Sequence, residues 1–402
     1  MIENQDIIVL GLQPWDLDIA FTLKYTAIEM SKKNRVLFLN PPLHRGDFVK
    51  QPDNPRVIDR KAVMNGEKDN LFQYNDNLWV FTPKTVIESI NWIPVSCIHD
   101  FFNKRNDKRF ANEAKKAIEK LNFKNYILFN DNSMLIGFYF KEFLKPRFSI
   151  YLLRDAVTLV SYHAKHGKRL EPQLINKMDL MVANSDFFAD FGREYNKHSY
   201  MIGQGCDLDI YNDADGDMTI PDDLLEIKQK PIIGFVGALT TIRLDIDTLV
   251  YIAESKPEWS LVLVGPEDEG FKASKLHSLN NVHFLGRKNP QELPNYIKGF
   301  DVALNPQIVN QITDINYPLK IDEYLAMGKP TVATRTTFMK YFEDYTYLPS
   351  SKEEYVIAIE NALSDNSSDK EKKRIAFAKT HTWENFVNKI YSHIKTIESE
   401  KQ

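Results

Sequence analysis

Short β-branched runs alternate with helical patterns along this sequence, break off near residue 208 and resume near residue 231. That rhythm predicts parallel strands joined by covering helices, because parallel neighbours need crossovers long enough to hold a helix. In the first half, 7–10, 36–39, 126–129, 148–152 and 180–183 read as strands, and 16–33 and 107–121 as helices. Residues 44–76 are polar and irregular, and predict a long loop or an insertion. In the second half, strands are expected at 232–237, 261–265, 282–286, 302–304 and 331–333, with helices over 245–255 and 319–327. The end of the chain, about 383–397, predicts a long amphipathic helix with no strand of its own beside it.

A chain of 402 residues exceeds one ordinary core. The expected architecture is α/β, with two doubly wound Rossmann-like domains facing a central cleft. The N-terminal domain is expected over 1–207, an acidic, turn-rich linker over 208–230, and the C-terminal domain over 231–380. A helix over 381–402 is expected to pack back on the first domain. Open parallel sheets take ligands beyond the carboxyl ends of their strands, so the cleft is where a site is sought.

Charge and cysteine content narrow the partners. Residues 1–205 hold 29 Lys and Arg against 24 Asp and Glu, leaving that half near +5 and the rest near −9. Neither half suggests nucleic acid. The two cysteines, Cys97 and Cys206, lie too far apart in sequence for a disulfide framework or a zinc site. His163, Lys165 and His166 form no metal-ligand pattern, so no metal is expected. The first apolar run is about five residues long and reads as a strand instead of a signal segment, and no run approaches the ~18–20 residues that span a bilayer. A cytoplasmic protein is expected. Lys104, Arg105, Lys108 and Arg109 follow the apolar residues 92–95 and Phe101-Phe102. They offer either a solvated helix or a peripheral contact with anionic lipid on the inner face of a membrane.

The segment Asn316-Tyr317-Pro318-Leu319-Lys320-Ile321-Asp322-Glu323-Tyr324-Leu325-Ala326-Met327-Gly328-Lys329-Pro330 carries the most chemistry. Pro318 suits a helix start, which leaves Lys320 beside the free N–H groups of the first turn and Glu323 on the same face. Such a terminus attracts phosphate, and the lysine adds a full charge. A carboxylate close by can accept hydrogen bonds from a ribose diol. Lys and Glu at this spacing also occur as a plain surface ion pair, and spacing alone leaves both readings open.

The same segment resembles the donor-site helix of GT-B-fold glycosyltransferases, in the family 4-like branch with Pro-Leu-Lys-x-x-Glu-Tyr. The resemblance extends over about 150 residues, through Gly234-Phe235-Val236-Gly237-Ala238-Leu239, 261–266, 282–287 and Phe300-Asp301-Val302-Ala303-Leu304-Asn305-Pro306. In the first half it includes 179–185 and Gly203-Gln204-Gly205-Cys206-Asp207. The resemblance implies a nucleotide-diphosphate sugar as donor substrate, no cofactor, and a glycan or lipid-linked acceptor in cell-surface polysaccharide synthesis. It implies that Glu323 binds the ribose, that Lys320 holds the diphosphate, and that Pro318 and Leu319 open the donor helix. Backbone at Gly237 and Ala238 approaches the diphosphate, Asn305 leads into the nucleotide pocket, and Arg287 lines the base. Two departures stand out. After the glycine loop the family often has an Arg and a Lys, where this chain offers only Arg243. Many members also carry a second Glu where this chain has Ile315, and its neighbour Asp314 is not assigned that role.

Arg154 and Asp155 follow the 148–152 strand, the place where related enzymes face the reacting sugar. Asp155 is the candidate general base if the reaction inverts the anomeric centre. If it retains, as the resemblance favours, the leaving phosphate accepts the proton and Asp155 orients the acceptor. Asp155 as a simple cap is the competing reading. Gln13-Pro14-Trp15-Asp16 and Asp131-Asn132 are weaker cleft candidates, Glu171 reads as structural, and His44-Arg45-Gly46 reads as a solvent-facing loop, with contact to an acceptor as its second reading. Two other functions fit the same scaffold: a sugar-nucleotide epimerase or hydrolase, and an inert nucleotide-sugar-binding subunit of a glycan assembly complex.

Overall fold

The computed structural model describes residues 2–17, 21–213, 216–227 and 231–400. Positions 18–20 of the expected first helix, and 214, 215 and 228–230 of the expected linker, lie outside the described residues. The chain forms two compact units, one from 1–205 with 383–402 and the other from 206–382.

The first unit is built on eight strands: β1 (Asp6–Gly11), β2 (Arg35–Leu39), β3 (Leu71–Asn75), β4 (Leu78–Phe81), β5 (Ile127–Asp131), β6 (Phe148–Leu153), β7 (Leu180–Ala183) and β8 (Ser199–Met201). Their order is β3-β4-β2-β1-β5-β6-β7-β8, with only β3 antiparallel to its neighbour. Strand residues alternate between two faces, as the period of two demands. Ile7 and Val9 of β1 join one apolar cluster with the C-terminal helix Trp383–Glu400, through Phe386, Ile390 and Ile394. Ile8 and Leu10 join the opposite cluster with Phe110, Ala114 and Ile118 of the helix Ser96–Lys120. Each fully buried aliphatic side chain contributes about 1.5–3 kcal/mol, so the stripe on the final helix suffices to fix which unit it joins.

Two sequence expectations change here. The stretch 44–76 is not a long loop: it carries the helix Pro55–Asn65 and strand β3. Asn54 caps that helix through its side chain, Pro55 opens it, and Gly66 closes it in the left-handed region with φ 82°. The helix expected over 107–121 begins at Ser96 and runs 25 residues, so Phe101 and the basic run belong to its first four turns.

The second unit holds β9 (Ile232–Val236), β10 (Ser260–Val264), β11 (Val282–Gly286), β12 (Val302–Asn305) and β13 (Thr331–Ala333). The order is β11-β10-β9-β12-β13, parallel throughout. The order reverses between β9 and β12 here, and between β1 and β5 in the first unit. Those are the points where a doubly wound sheet opens a crevice for ligand. The stretch 208–230, read from sequence as a linker, belongs to this unit. Tyr211 and Leu224 are buried in one cluster with Ile232, Phe300 and Tyr324. The acidic turn around Asp213 hid these two apolar anchors.

Candidate active site

Tyr324 explains where the donor-type helix Leu319–Ala326 lies. Its buried hydroxyl accepts a hydrogen bond from the Val236 N–H at 3.0 Å, pinning the helix to the carboxyl end of β9. Asp322, fully buried, holds the opposite side by accepting from the Tyr317 hydroxyl at 2.6 Å and pairing with His381 Nδ1 at 2.7 Å. The His381 Nε2 in turn meets the Tyr341 hydroxyl at 2.9 Å. With two faces committed, Lys320 and Glu323 are left on a third.

Lys320 is half-buried beside the glycine loop that follows β9. A Cβ built on Gly237 would stand 3.3 Å from its Nζ, and the ammonium sits 5.0 Å over the Phe235 ring. Among the described residues no carboxylate lies within ion-pairing distance of that Nζ. Burial holds its pKa below the ordinary lysine range, against the attraction of Glu323, and the nearby Arg243 pushes the same way as burial. Glu323 accepts a hydrogen bond from Tyr211, and burial raises its pKa despite Lys320. Two cations thus share a site with one carboxylate, an arrangement that favours an incoming anion.

The loop itself is packed backbone on backbone. A Cβ on Gly265 would lie 1.9 Å from the Gly237 carbonyl oxygen, so only glycine fits there. Gly237 itself has φ 141°. Ala238 is exposed beyond it. The loop is tied to the end of β12: Asp245 N–H donates to Pro306 O and Ile308 N–H to Arg243 O, each at 2.9 Å. Asn305, the last residue of β12, is 1% exposed, and neither atom of its side-chain amide has a partner among the described residues. The Thr240 hydroxyl is buried and unpaired in the same way. Buried polar groups are rarely left so, and unpaired ones mark places where a ligand or water completes the set. Thr240 had no signal in the sequence beyond its place after the glycine loop.

Other expected donor residues are more dispersed. Pro318 caps the helix start and is buried, whereas Leu319 is 43% exposed. Arg287 is exposed and follows β11, the edge strand, two strands away from β9. Asp314 accepts from Thr337 N–H and Oγ1 at 2.8 and 2.7 Å, which ties it to the segment after β13, and Ile315 is buried.

In the first unit Arg154 is saturated. Its guanidinium bonds Asp131 Oδ1 and Gln13 Oε1, each at 2.9 Å, and pairs with Asp155. Asn132, at φ 55°, accepts the Arg154 N–H at 3.0 Å and donates to the Asp155 carbonyl at 3.1 Å. Burial opposes the Arg154 charge, but Asp131 and Asp155 outweigh it and raise its pKa. Such an arginine orders the strand ends and leaves Asp155 half exposed above them. Glu171 accepts from the buried Tyr151 hydroxyl at 2.8 Å, and burial raises its pKa to about 7.

A pocket of about 230 Å³ lies beyond the carboxyl ends of β1 and β5. Leu12, Pro14, Leu135 and Ile136 form part of its wall, and His44, Arg56, Arg60 and His163 also line it. The expectation of a solvent-facing His44 is corrected: its bridge to Ile87 holds it against this pocket. Among the described residues no three His, Cys, Asp or Glu converge as a metal site, and no helix is long and apolar enough to cross a membrane.

Residues 230–365 match the family model described as "Glycosyl transferases group 1". TuaH of Bacillus subtilis (strain 168), a candidate glycosyltransferase of teichuronic acid biosynthesis, is 26% identical over 240 residues. That match takes in 56% of this chain and 59% of the relative. Among solved structures, α,α-trehalose 6-phosphate synthase from Burkholderia multivorans superimposes with a TM-score of 0.68 at 10% identity, over 100% of both chains. Sucrose-phosphate synthase from Thermosynechococcus elongatus gives 0.65 at 15% identity, over 99% of this chain and 100% of that one. Anabaena HepE in complex with UDP gives 0.65 at 14% identity, over 98% and 100%. The chain has the doubly wound α/β architecture of GT-B glycosyltransferase structures, and over 230–365 it is similar to the group 1 glycosyltransferases.

Proposed function

We propose that the protein moves a sugar from a nucleoside-diphosphate donor, held by the second unit, to a glycan or lipid-linked acceptor held by the first. The observation that carries this reading is the half-buried Lys320 ammonium, set against a loop where only glycine fits and left without a carboxylate partner. Breaking the sugar–phosphate bond builds negative charge on the diphosphate. Lys320, the first N–H groups of its helix and Arg243 oppose that charge as it grows. The scheme takes no metal, because these cations stand where a divalent ion would otherwise neutralise the phosphates. Glu323, already ordered by Tyr211, receives the ribose hydroxyls.

Asp155 spends its charge on Arg154, which favours an orienting role towards the acceptor. The leaving phosphate then takes the acceptor proton, in keeping with retention. HepE, solved with UDP and with UDP-glucose, supports a uridine nucleotide, and the likeness to TuaH supports a surface-polysaccharide acceptor. Phe101, 64% exposed on the same helix as the exposed Lys104, Arg105 and Lys108, and Trp92, 71% exposed shortly before that helix, suit a peripheral position on anionic lipid, where such an acceptor would be presented.

A nucleotide-sugar panel read by thermal shift tests the proposal. A true donor at 100 times its Kd adds about 2.7 kcal/mol to stability. UDP-sugars are expected to stand out, and turnover is then followed with lipid-linked acceptors. Release of free sugar or an epimer without acceptor would favour a hydrolase or epimerase, and binding without any turnover an inert subunit.

A further inference from the structure

Four of the buried nitrogens that lack a partner among the described residues gather on one pocket: Nδ1 of His44 and of His163, and Nε of Arg56 and of Arg60. All four residues line the 230 Å³ pocket at the switch point of the first sheet. Arg60 is only 4% exposed. It reaches Thr82 Oγ1 at 3.0 Å and Asp16 Oδ1 at 2.9 Å, and keeps its Nε unused. Arg56 stands close enough for its charge to act against Arg60.

Apart from Asp16, which pairs with Arg60, the nearby carboxylates already have partners. Asp47 accepts the His44 N–H at 2.9 Å, and Glu88 is held by the Arg45 guanidinium at 2.7–3.1 Å. Asp59, next to Arg60 in sequence, pairs with Lys68. What remains is a surplus of donors in a partly apolar cavity. Arg60 is buried with a single ion pair, to Asp16, and the half-buried Arg56 has none among the described residues, so an anion between them would complete both. Arginine also suits planar, bidentate binding of carboxylate or phosphate oxygens. The wall of Leu12, Pro14 and Ile90 is poorly matched to a bare hydrated ion and well matched to the carbon face of a ring.

We propose that this pocket binds an acceptor sugar carrying an oxyanion, phosphate or carboxylate, with Arg56 and Arg60 as the anion's partners. His44 and His163 hydrogen-bond the same group or its neighbouring hydroxyl. Calling the ligand an acceptor rests on the transferase reading above, whereas its preference for an anion does not.

Calorimetric titration of the full chain with glucose, glucose 6-phosphate, glucuronate and inorganic phosphate, without nucleotide, tests this directly. At least one anionic sugar is expected to bind 10-fold or more tightly than both glucose and inorganic phosphate. A phosphate preference names a phosphorylated acceptor, and a glucuronate preference a uronic acid. Arg56→Ala is expected to weaken that binding at least 10-fold, with Arg56→Lys recovering part of it. Lys320→Ala, which alters the other anion-seeking site, is expected to leave it unchanged. Equal binding of glucose, inorganic phosphate bound as tightly as the anionic sugar, no anionic sugar bound at 10 mM, or indifference to Arg56→Ala would each overturn the assignment. UDP titrated separately into Arg56→Ala keeps this result apart from the donor site. Failure of the transferase reading shows in that second titration, not in the first.

Discussion

Arg154 and Lys320 both stand beyond the carboxyl end of a strand in a doubly wound sheet, yet they keep opposite company. Arg154 meets two carboxylates and an amide oxygen, so its charge is spent within the protein. Lys320 faces a glycine loop and an aromatic ring, and burial already presses on its charge. In the proposed reading the paired cation fixes geometry and the cation short of partners meets an anion. The pair teaches that position at a strand end selects candidates, whereas the hydrogen-bond partners tell which of them has charge left for a ligand.

The contrast can be broken in three ways. Arg154→Ala leaves Asp131, 1% exposed, without its cation, and breaking a buried pair costs about 3–5 kcal/mol. Chemical denaturation is expected to show that loss in full, with turnover falling only as the folded fraction falls. A stable Arg154→Ala protein with abolished turnover would instead return Arg154 to the chemistry. Lys320→Ala should behave the other way round. Its melting temperature should hold or rise, because a half-buried charge without a partner is removed, while kcat drops ~10²–10³-fold. Near-normal turnover would take Lys320 out of the mechanism.

The smallest effect concerns pH. Burial lowers the Lys320 pKa, so in the free protein its charge is lost earlier on alkalinisation than that of an exposed lysine. UDP affinity is therefore expected to weaken as pH rises, before the range where an exposed lysine titrates, because proton uptake at Lys320 accompanies anion binding. Lys320→Arg, with a guanidinium that stays charged, should flatten that profile. An equally steep profile in Lys320→Arg would place the titrating group elsewhere.

The alternation of apolar runs made both sheets legible, because a buried parallel strand needs a continuous apolar stretch wherever it lies in the fold. The donor-type helix was legible for a local reason as well: Pro318, Lys320, Glu323 and Gly328 all fall within one short window. The helix Pro55–Asn65 was missed although Asn54, Pro55 and Gly66 marked both of its ends. Its buried face holds only Val57, Arg60 and Val63, too polar a stripe to register as a period. The partners of Arg154 were illegible for a different reason. Asp131 and Gln13 come from the ends of other strands, and no local window contains them. The pocket around Arg56 and Arg60 was hidden likewise, since its lining runs from Leu12 to His163.

The clasp formed by Asp322 has a reach beyond the helix it steadies. His381 gives its ring to Asp322 and its carbonyl to the Cys206 N–H at 2.8 Å. Cys206 and Thr382 are the first and last residues of the second unit, and they bridge to each other. The segment bearing Lys320, through the ring, and both ends of this 206–382 body, through the backbone, thus meet at one residue. Displacing His381 as a whole would slacken the donor-type helix and the unit's two ends in a single event.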